Sequence, residues 1–178
     1  MLCGSLMCLM SVGAKSGEFV VMSANSALHE KVYYLNARID YKLSDKVIDA
    51  LHKGVPINFK IKIEISRVRD YLWNEIITDL RQRYRLEYHA LTKQYIVNNL
   101  NSGSRHSFPN LKVALSVLGT IVNLPLVDKN LLEPDQQYNG RIQAVLDVDR
   151  LPVPLRLLAY LTSGWRLSSE WFLWSFQG

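Results

Sequence analysis

Alternation of apolar and polar residues is strongest in one stretch near the middle of the chain. Every second position there is apolar, namely Ile57, Phe59, Ile61, Ile63 and Ile65. The positions between them are polar, namely Asn58, Lys60, Lys62 and Glu64. A period of two with β-branched residues is typical of a strand that covers a core with one face and meets water with the other. A helix would scatter these isoleucines around its circumference, so the pattern predicts a strand.

The same period predicts further strands on both sides of this one. We expect strands over residues 19–22, 32–43 and 138–149, and a hairpin over 80–100. A last strand is expected to combine Gly164 and Trp165 with residues 171–176. Residues 70–80 fit a helix face as well as a strand. The β-forming residues on both sides favour the extended interpretation.

Two short helices interrupt the strands. Ser44 is a suitable N-cap with Asp45 in the first turn, and Gly54 supplies the end of that helix. The second helix is expected to start with Pro109 in its first turn and to run to Gly119. A third, shorter apolar stretch spans residues 157–161. These elements predict a mainly β fold, an antiparallel β-sandwich that is immunoglobulin-like in general architecture, with two or three short helices.

Composition supports one globular domain over residues 15–178. The chain has 178 residues, of which 48% are hydrophobic and 21% are charged, as in ordinary globular proteins. The formal net charge of +5 permits an acidic partner but is small for a nucleic-acid-binding tail. Both cysteines, Cys3 and Cys8, precede Leu9, so the folded part contains neither a disulfide nor a thiolate metal site.

Residues 1–14 predict a signal peptide or the remnant of one. They carry no charge, are rich in Leu and Met, and end in Val12-Gly13-Ala14, which places cleavage before Lys15. The segment is too short to span a bilayer. No basic residue precedes the apolar run, so a plain apolar N-terminus remains the alternative. A lipid anchor on Cys8 is disfavoured because Met7 stands where a small residue is needed.

No pattern of residues predicts catalysis or metal binding. The four histidines, His29, His52, His89 and His106, are not spaced as ligands, and no nucleophile elbow, phosphate-binding glycine loop or dinucleotide motif is present. Asp147 and Asp149 fall two apart on one face of a strand, which we interpret as its solvated face. We therefore expect neither an enzyme nor a bound cofactor.

The most informative surface feature is a series of alternating arginines. Arg81, Arg83 and Arg85 should project in parallel from one strand face, where they could meet carboxylates or phosphates, and Lys93 follows in the same hairpin. The interpretation that we favour is simpler: they form ion pairs across strands with Glu64, Glu87 or neighbouring residues. Tyr84, Tyr88 and Tyr95 interleave with them, as in single-stranded nucleic-acid platforms. The predicted register, however, turns Tyr84 and Tyr88 inward.

Several segments together resemble the proteobacterial family DUF4390, whose function is unknown. They are Tyr34-Leu35-Asn36-Ala37, residues 50–56, 88–95 and 146–155, Trp165, and the ending 171–174. The likeness extends from about Val32 to the end of the chain. It implies an exported or membrane-facing protein, whose gene often lies near a sensor kinase of the nitrogen-regulation type. The family supplies no catalytic residues to transfer.

Taken together, these features lead us to expect a non-enzymatic envelope protein that binds another protein, with Arg81, Arg83, Arg85 and Lys93 as the candidate surface. We expect a periplasmic or envelope location, with membrane association through the N-terminus only. The alternative is a cytoplasmic module that binds nucleic acid through the arginine face, for which affinity would fall steeply with salt.

Overall fold

Nine strands form two antiparallel sheets in residues 17–69 and 73–178, the part of the chain that the computed structural model describes. The strands are β1 Glu18–His29, β2 Val32–Lys42, β3 Ile57–Arg67, β4 Glu75–His89, β5 Gln94–Asn99, β6 Arg105–Phe108, β7 Thr120–Asp128, β8 Gln137–Leu146 and β9 Phe172–Gln177. Three short α-helices lie between them: α1 Asp45–His52, α2 Leu111–Leu118 and α3 Val153–Leu161. The predicted β-sandwich with short helices is therefore confirmed.

The smaller sheet has the order β1-β2-β7 and the larger one the order β6-β5-β4-β3-β8-β9. The isoleucine strand, β3, lies inside the larger sheet between β4 and β8. All of its neighbours are antiparallel, so the residue opposite each β3 position is fixed on both sides. Ile61, for example, lies opposite Gln82 of β4 and Ala144 of β8.

The core fills the space between the two sheets. The inward residues of β3, from Ile57 to Ile65, are at most 1% exposed. They face apolar residues of the smaller sheet, and the ring of Tyr41 on β2 lies 5.1 Å from that of Phe59. This burial of five large side chains on one strand explains the period of two in the sequence.

Two helices, α1 and α2, add buried apolar residues to this core. Ser44 caps α1, because its Oγ accepts a hydrogen bond from the amide of Val47 at 3.4 Å, as predicted. The N-cap of α2 is Asn110, whose side chain accepts from the amide of Val113 at 2.9 Å. Pro109 therefore precedes the cap, and its predicted place in the first turn was wrong. Among residues 17–69 and 73–178, no helix is long and apolar enough to cross a membrane.

Several boundaries differ from the sequence expectations. β1 continues to His29, and β7 was not predicted, because the apolar run that contains it has no clear alternation. Gly164 and Trp165 belong to a 3-10 turn rather than to the last strand. Of the ambiguous residues 70–80, those from Glu75 onward are strand, as favoured. Residues 70–72 and the predicted signal segment 1–14 lie outside the described residues.

Candidate partner-binding face

The three predicted arginines lie on the outer face of the larger sheet, directed away from the core. Their register on β4 places Arg81 opposite Lys62, Arg83 opposite Lys60 and Arg85 opposite Asn58. Since the inward residues of β3 alternate with these polar ones, the buried isoleucines fix the cations on the opposite face. We call the five residues Lys60, Lys62, Arg81, Arg83 and Arg85 the basic face.

Two like-charge pairs are adjacent on this face. Lys62 opposes Arg81 and Lys60 opposes Arg83, two residues further along each strand. Like charges directly opposite each other destabilise a sheet. On the β8 side the same lysines meet Gln143 and Val145, so no carboxylate neutralises them in register there.

Carboxylates lie at the edges of the basic face rather than across it. Arg81 donates to Asp79 of its own strand at 2.9 Å, and Arg85 is 3.9 Å from Glu87. Glu64 instead bonds to Arg141 of β8. Charge pairing therefore runs along β4 for Arg81 and Arg85, and the expected pair between the arginines and Glu64 does not form.

Two cations of this face, Arg83 and Lys62, have no carboxylate partner among the described residues, and Lys62 donates instead to the side-chain oxygen of Gln143 at 3.4 Å. Arg83 is the more isolated of the two. Its side chain is half-buried, and its Nε is buried without a hydrogen-bond partner. No ion pair of Arg83 occurs within residues 17–69 and 73–178. Its backbone amide donates to Oδ1 of Asn101 at 2.8 Å, and Nδ2 of Asn101 donates to the carbonyl of Arg81 at 3.0 Å. Asn101 thus fixes the backbone of β4 beneath these two arginines.

Asp147 closes one end of the basic face and is not solvated. It is only 5% exposed, with Lys60 Nζ at 3.3 Å and Arg150 Nε at 3.7 Å. The strand ends at Leu146, and Asp149 lies in the 3-10 turn Val148–Arg150, where it accepts a hydrogen bond from Tyr160. Asp149 is exposed as expected, but both residues follow the strand rather than belong to it. The interpretation of Asp147 as solvated was wrong, because Lys60 and Arg150 pack against its carboxylate.

Three further basic residues, Lys93, Arg67 and Arg105, lie outside the five that form the basic face. Lys93 lies in the turn between β4 and β5 with φ of 53°, at the end of the hairpin beyond the basic face. Arg67 bonds to Glu133 and Glu75, and these hydrogen bonds raise its pKa. Arg105, which sequence reasoning did not single out, pairs in register with Asn98, itself opposite Arg85. Arg105 therefore extends the positive charge toward β6.

Aromatic residues of the hairpin occupy the inner face, as predicted for Tyr84 and Tyr88. Tyr84 lies opposite the buried Phe59. Tyr88 and Tyr95 contact His52 at the end of α1, whose Nε2 is 2.7 Å from the Tyr95 hydroxyl. These rings pack under α1 and are not arranged for stacking on a ligand at the basic face.

One buried hydroxyl in the core is also unpartnered. The Oη of Tyr41 has no hydrogen-bond partner, and burial raises the pKa of Tyr41 far above its ordinary value. The surrounding rings of Phe19 and Phe59 explain this isolation. No cluster of three or more His, Cys, Asp or Glu that could hold a metal ion occurs among the described residues.

Comparison with known proteins identifies the family. The model of the domain of unknown function DUF4390 matches residues 16–175, nearly the whole chain. The chain belongs to the DUF4390 family. No curated protein and no solved structure gives a significant match. The resemblance noted from short segments is thus confirmed. The family match also covers β1, which those segments did not include.

Proposed function

We propose that this DUF4390 protein is a non-enzymatic binding module of the cell envelope that uses its basic face to hold an acidic surface of a protein partner. The observation that carries the proposal is Arg83, half-buried among other cations and without a matching carboxylate. A folded protein gains nothing from this arrangement, since opposed like charges weaken the sheet. An incoming anion would remove that penalty and gain charge-assisted hydrogen bonds.

The shape of the basic face favours an extended or flat acidic surface. β3 and β4 hold the cations in two parallel rows, because residues two apart on a strand share one face. Guanidinium groups bind carboxylates through paired hydrogen bonds. Arg81 and Arg85 contact carboxylates only at the edges of the face, Asp79 and Glu87, and Arg85 also donates to the side-chain oxygen of Asn58 at 3.4 Å. Such charged faces set the specificity and the rate of association more than the affinity.

A protein partner is favoured over nucleic acid by the position of the aromatic rings. Binding of single-stranded nucleic acid usually combines cations with exposed rings on which bases stack. On the hairpin that carries the arginines, Tyr84, Tyr88 and Tyr95 pack inward instead. The family resemblance suggests the outer domain of a sensor kinase as a partner to examine first.

Capture of partners from envelope extract of the native host tests this proposal. The bait is the full chain, as wild type and as Arg83→Glu/Arg85→Glu. A matched control, Lys31→Glu/Lys129→Glu, reverses two exposed cations at the far end of the smaller sheet, where the amide of Lys129 donates to the carbonyl of Lys31 at 2.7 Å. Both variants change the net charge equally, so a general charge effect appears in both.

We expect the Arg83→Glu/Arg85→Glu variant to lose a protein that wild type and control retain, with similar thermal melts for all three. Exposed ion pairs contribute only about 0–1 kcal/mol each to stability. Equal capture by all three proteins would contradict the proposal. Retention of nucleic acid by wild type, with an affinity that falls steeply with salt, would favour the alternative module. Fractionation of the native host tests the envelope location separately.

A further inference from the structure

The solvent-facing side of α3 is apolar. Val153, Leu157 and Leu161 are 66%, 63% and 82% exposed, and Leu158 is also mostly exposed. At 3.6 residues per turn, these positions span an arc of about 140° on the helix circumference. A surface helix normally directs charged and polar residues to water, so α3 has the reverse arrangement on this side.

The other side of α3 already has its partner. Ala159 is completely buried, and Leu155 packs against the core cluster. Arg156 folds back toward the start of the helix, where its Nη2 donates to the carbonyl of Leu151 at 3.0 Å. The exposed leucines therefore do not face the core, and they form a second apolar face on a helix that is already docked.

Cations surround this apolar face at both ends of the helix. Arg150 and Arg156 lie near its start, and Arg166 donates to the carbonyl of Tyr160 near its end. The side chain of Lys46 lies against Gly164, three residues after the helix. Asp147 is buried and pairs with Lys60 and Arg150, whereas Asp149 is exposed and accepts a hydrogen bond from Tyr160. Cations therefore outnumber the one exposed carboxylate, Asp149, around the apolar centre.

Such a combination is complementary to an anionic lipid surface. Interfacial helices bury an apolar face at the boundary of headgroups and acyl chains, with Lys and Arg at the headgroups and Tyr at the edge. Tyr160 occupies that edge position in α3, beside the exposed leucines. With nine residues, α3 is too short to cross the hydrocarbon core. It can only lie along the surface.

The first described residue lies close to the end of α3. Gly17, the first described residue, packs against the backbone of Lys42 and Ser44. The Ser44 hydroxyl donates to the carbonyl of Gly164 at 2.6 Å, just after α3. The charge-free segment of residues 1–14 therefore precedes a point beside the end of α3.

We propose that α3 is a membrane-surface contact, which inserts Val153, Leu157, Leu158 and Leu161 among anionic phospholipids while Arg150, Arg156 and Arg166 meet the headgroups. This contact is additional to the basic face and does not depend on its partner. It would hold the domain at a bilayer after removal of residues 1–14.

Flotation with vesicles tests the proposal, using phosphatidylcholine with and without phosphatidylglycerol. The full chain is compared with Leu157→Asn/Leu161→Asn and with the control Leu91→Asn/Leu131→Asn, which replaces two exposed leucines outside α3. All three keep the same N-terminus, so its contribution is constant. We expect the α3 variant to bind phosphatidylglycerol vesicles roughly tenfold or more weakly than wild type, as for the loss of two buried leucines. The control variant should bind like wild type.

The Arg83→Glu/Arg85→Glu variant separates this contact from the basic face. We expect it to keep most of its vesicle binding. The opposite result would overturn the proposal: the Arg83→Glu/Arg85→Glu variant loses vesicle binding and the Leu157→Asn/Leu161→Asn variant keeps it. The lipid contact would then lie on the larger sheet. Absence of vesicle binding by wild type would also overturn the proposal. A third result would overturn the proposal as well: wild type sediments as a dimer and the Leu157→Asn/Leu161→Asn variant sediments as a monomer. A second copy of the chain would then cover α3.

Discussion

Lys60 on β3 and Arg83 on β4 lie directly opposite each other on the outer face of the larger sheet. Lys60 turns toward the buried Asp147, with its Nζ 3.3 Å from the carboxylate, whereas Arg83 has no corresponding carboxylate among the described residues. The pair therefore has one compensated and one uncompensated charge. This asymmetry is the observation on which the proposed binding role of the basic face rests.

Replacement of Arg83 by glutamine should not weaken the fold. Arg83→Gln removes a charge opposed to Lys60, so we expect the free energy of unfolding to stay equal or to rise by up to about 1 kcal/mol. Any gain should shrink at high salt, which screens exposed charges. Urea melts at low and high salt measure both effects. A loss of several kcal/mol would mean that Arg83 has a structural partner.

The isoleucine strand should be the centre of stability. Ile61 is fully buried between the sheets, so Ile61→Ala should lower the free energy of unfolding by about 2–5 kcal/mol. The neighbouring Lys62→Ala faces water and should change it by no more than about 0.5 kcal/mol. Urea denaturation of both variants provides the comparison. Similar losses for the two would show that the faces of β3 are assigned incorrectly.

The hydroxyl of Tyr41 should reduce stability, most of all in alkali. Its Oη is buried without a partner, so Tyr41→Phe should raise the free energy of unfolding by about 1 kcal/mol near neutral pH. Burial raises the pKa of Tyr41 in the folded state. The unfolded state therefore loses its proton first as pH increases past the ordinary tyrosine value of about 10, and the folded state is destabilised above that pH.

The pH profile distinguishes the two contributions of Tyr41. Below the unfolded-state pKa both states keep the proton, so Tyr41→Phe differs from wild type there only through the missing hydroxyl. Above it, the variant should lose less stability than wild type. Burial also raises the pKa values of Tyr84 and Tyr95. These two residues are still present in the variant, so it keeps part of the loss of stability in alkali. Parallel pH profiles for wild type and variant would contradict this assignment.

Cleavage before Lys15 stays a prediction, because residues 1–14 lie outside the described structure. It rests on the charge-free segment and on Val12-Gly13-Ala14 at its end. The intact mass of the protein recovered from the native host measures it, and we expect the mass of residues 15–178. A recovered chain that still begins at Met1 would argue against processing at this position.

Elements with strong alternation could be predicted from the sequence, and elements without it could not. One face is buried in each of β2, β3 and the hairpin of β4 and β5. Their alternation of apolar and polar residues can therefore be recognised in the sequence alone. α3 escaped prediction because its apolar residues lie on both sides, and Pro152 and Pro154 suggested irregular structure. β7 escaped because its apolar run includes Pro125 without regular alternation.

The candidate site required the pairing of strands. The sequence placed Arg81, Arg83 and Arg85 on one face, since their spacing of two is a local property. It could not show that Lys60 and Lys62 lie opposite them, because that depends on the register between β3 and β4. The burial of Asp147 likewise depends on a chain segment that folds back after β8. Contacts between distant segments thus account for most of what the sequence did not reveal.

The most direct test of the basic face is its affinity for an acidic polypeptide. Labelled poly-L-glutamate can be titrated by fluorescence anisotropy with wild type, Arg83→Glu/Arg85→Glu and the Lys31→Glu/Lys129→Glu control. We predict that reversal on the basic face weakens binding by roughly tenfold or more, since several like charges act together and the new carboxylates repel the ligand. The control should bind nearly as well as wild type. Equal affinities for all three proteins would contradict the account.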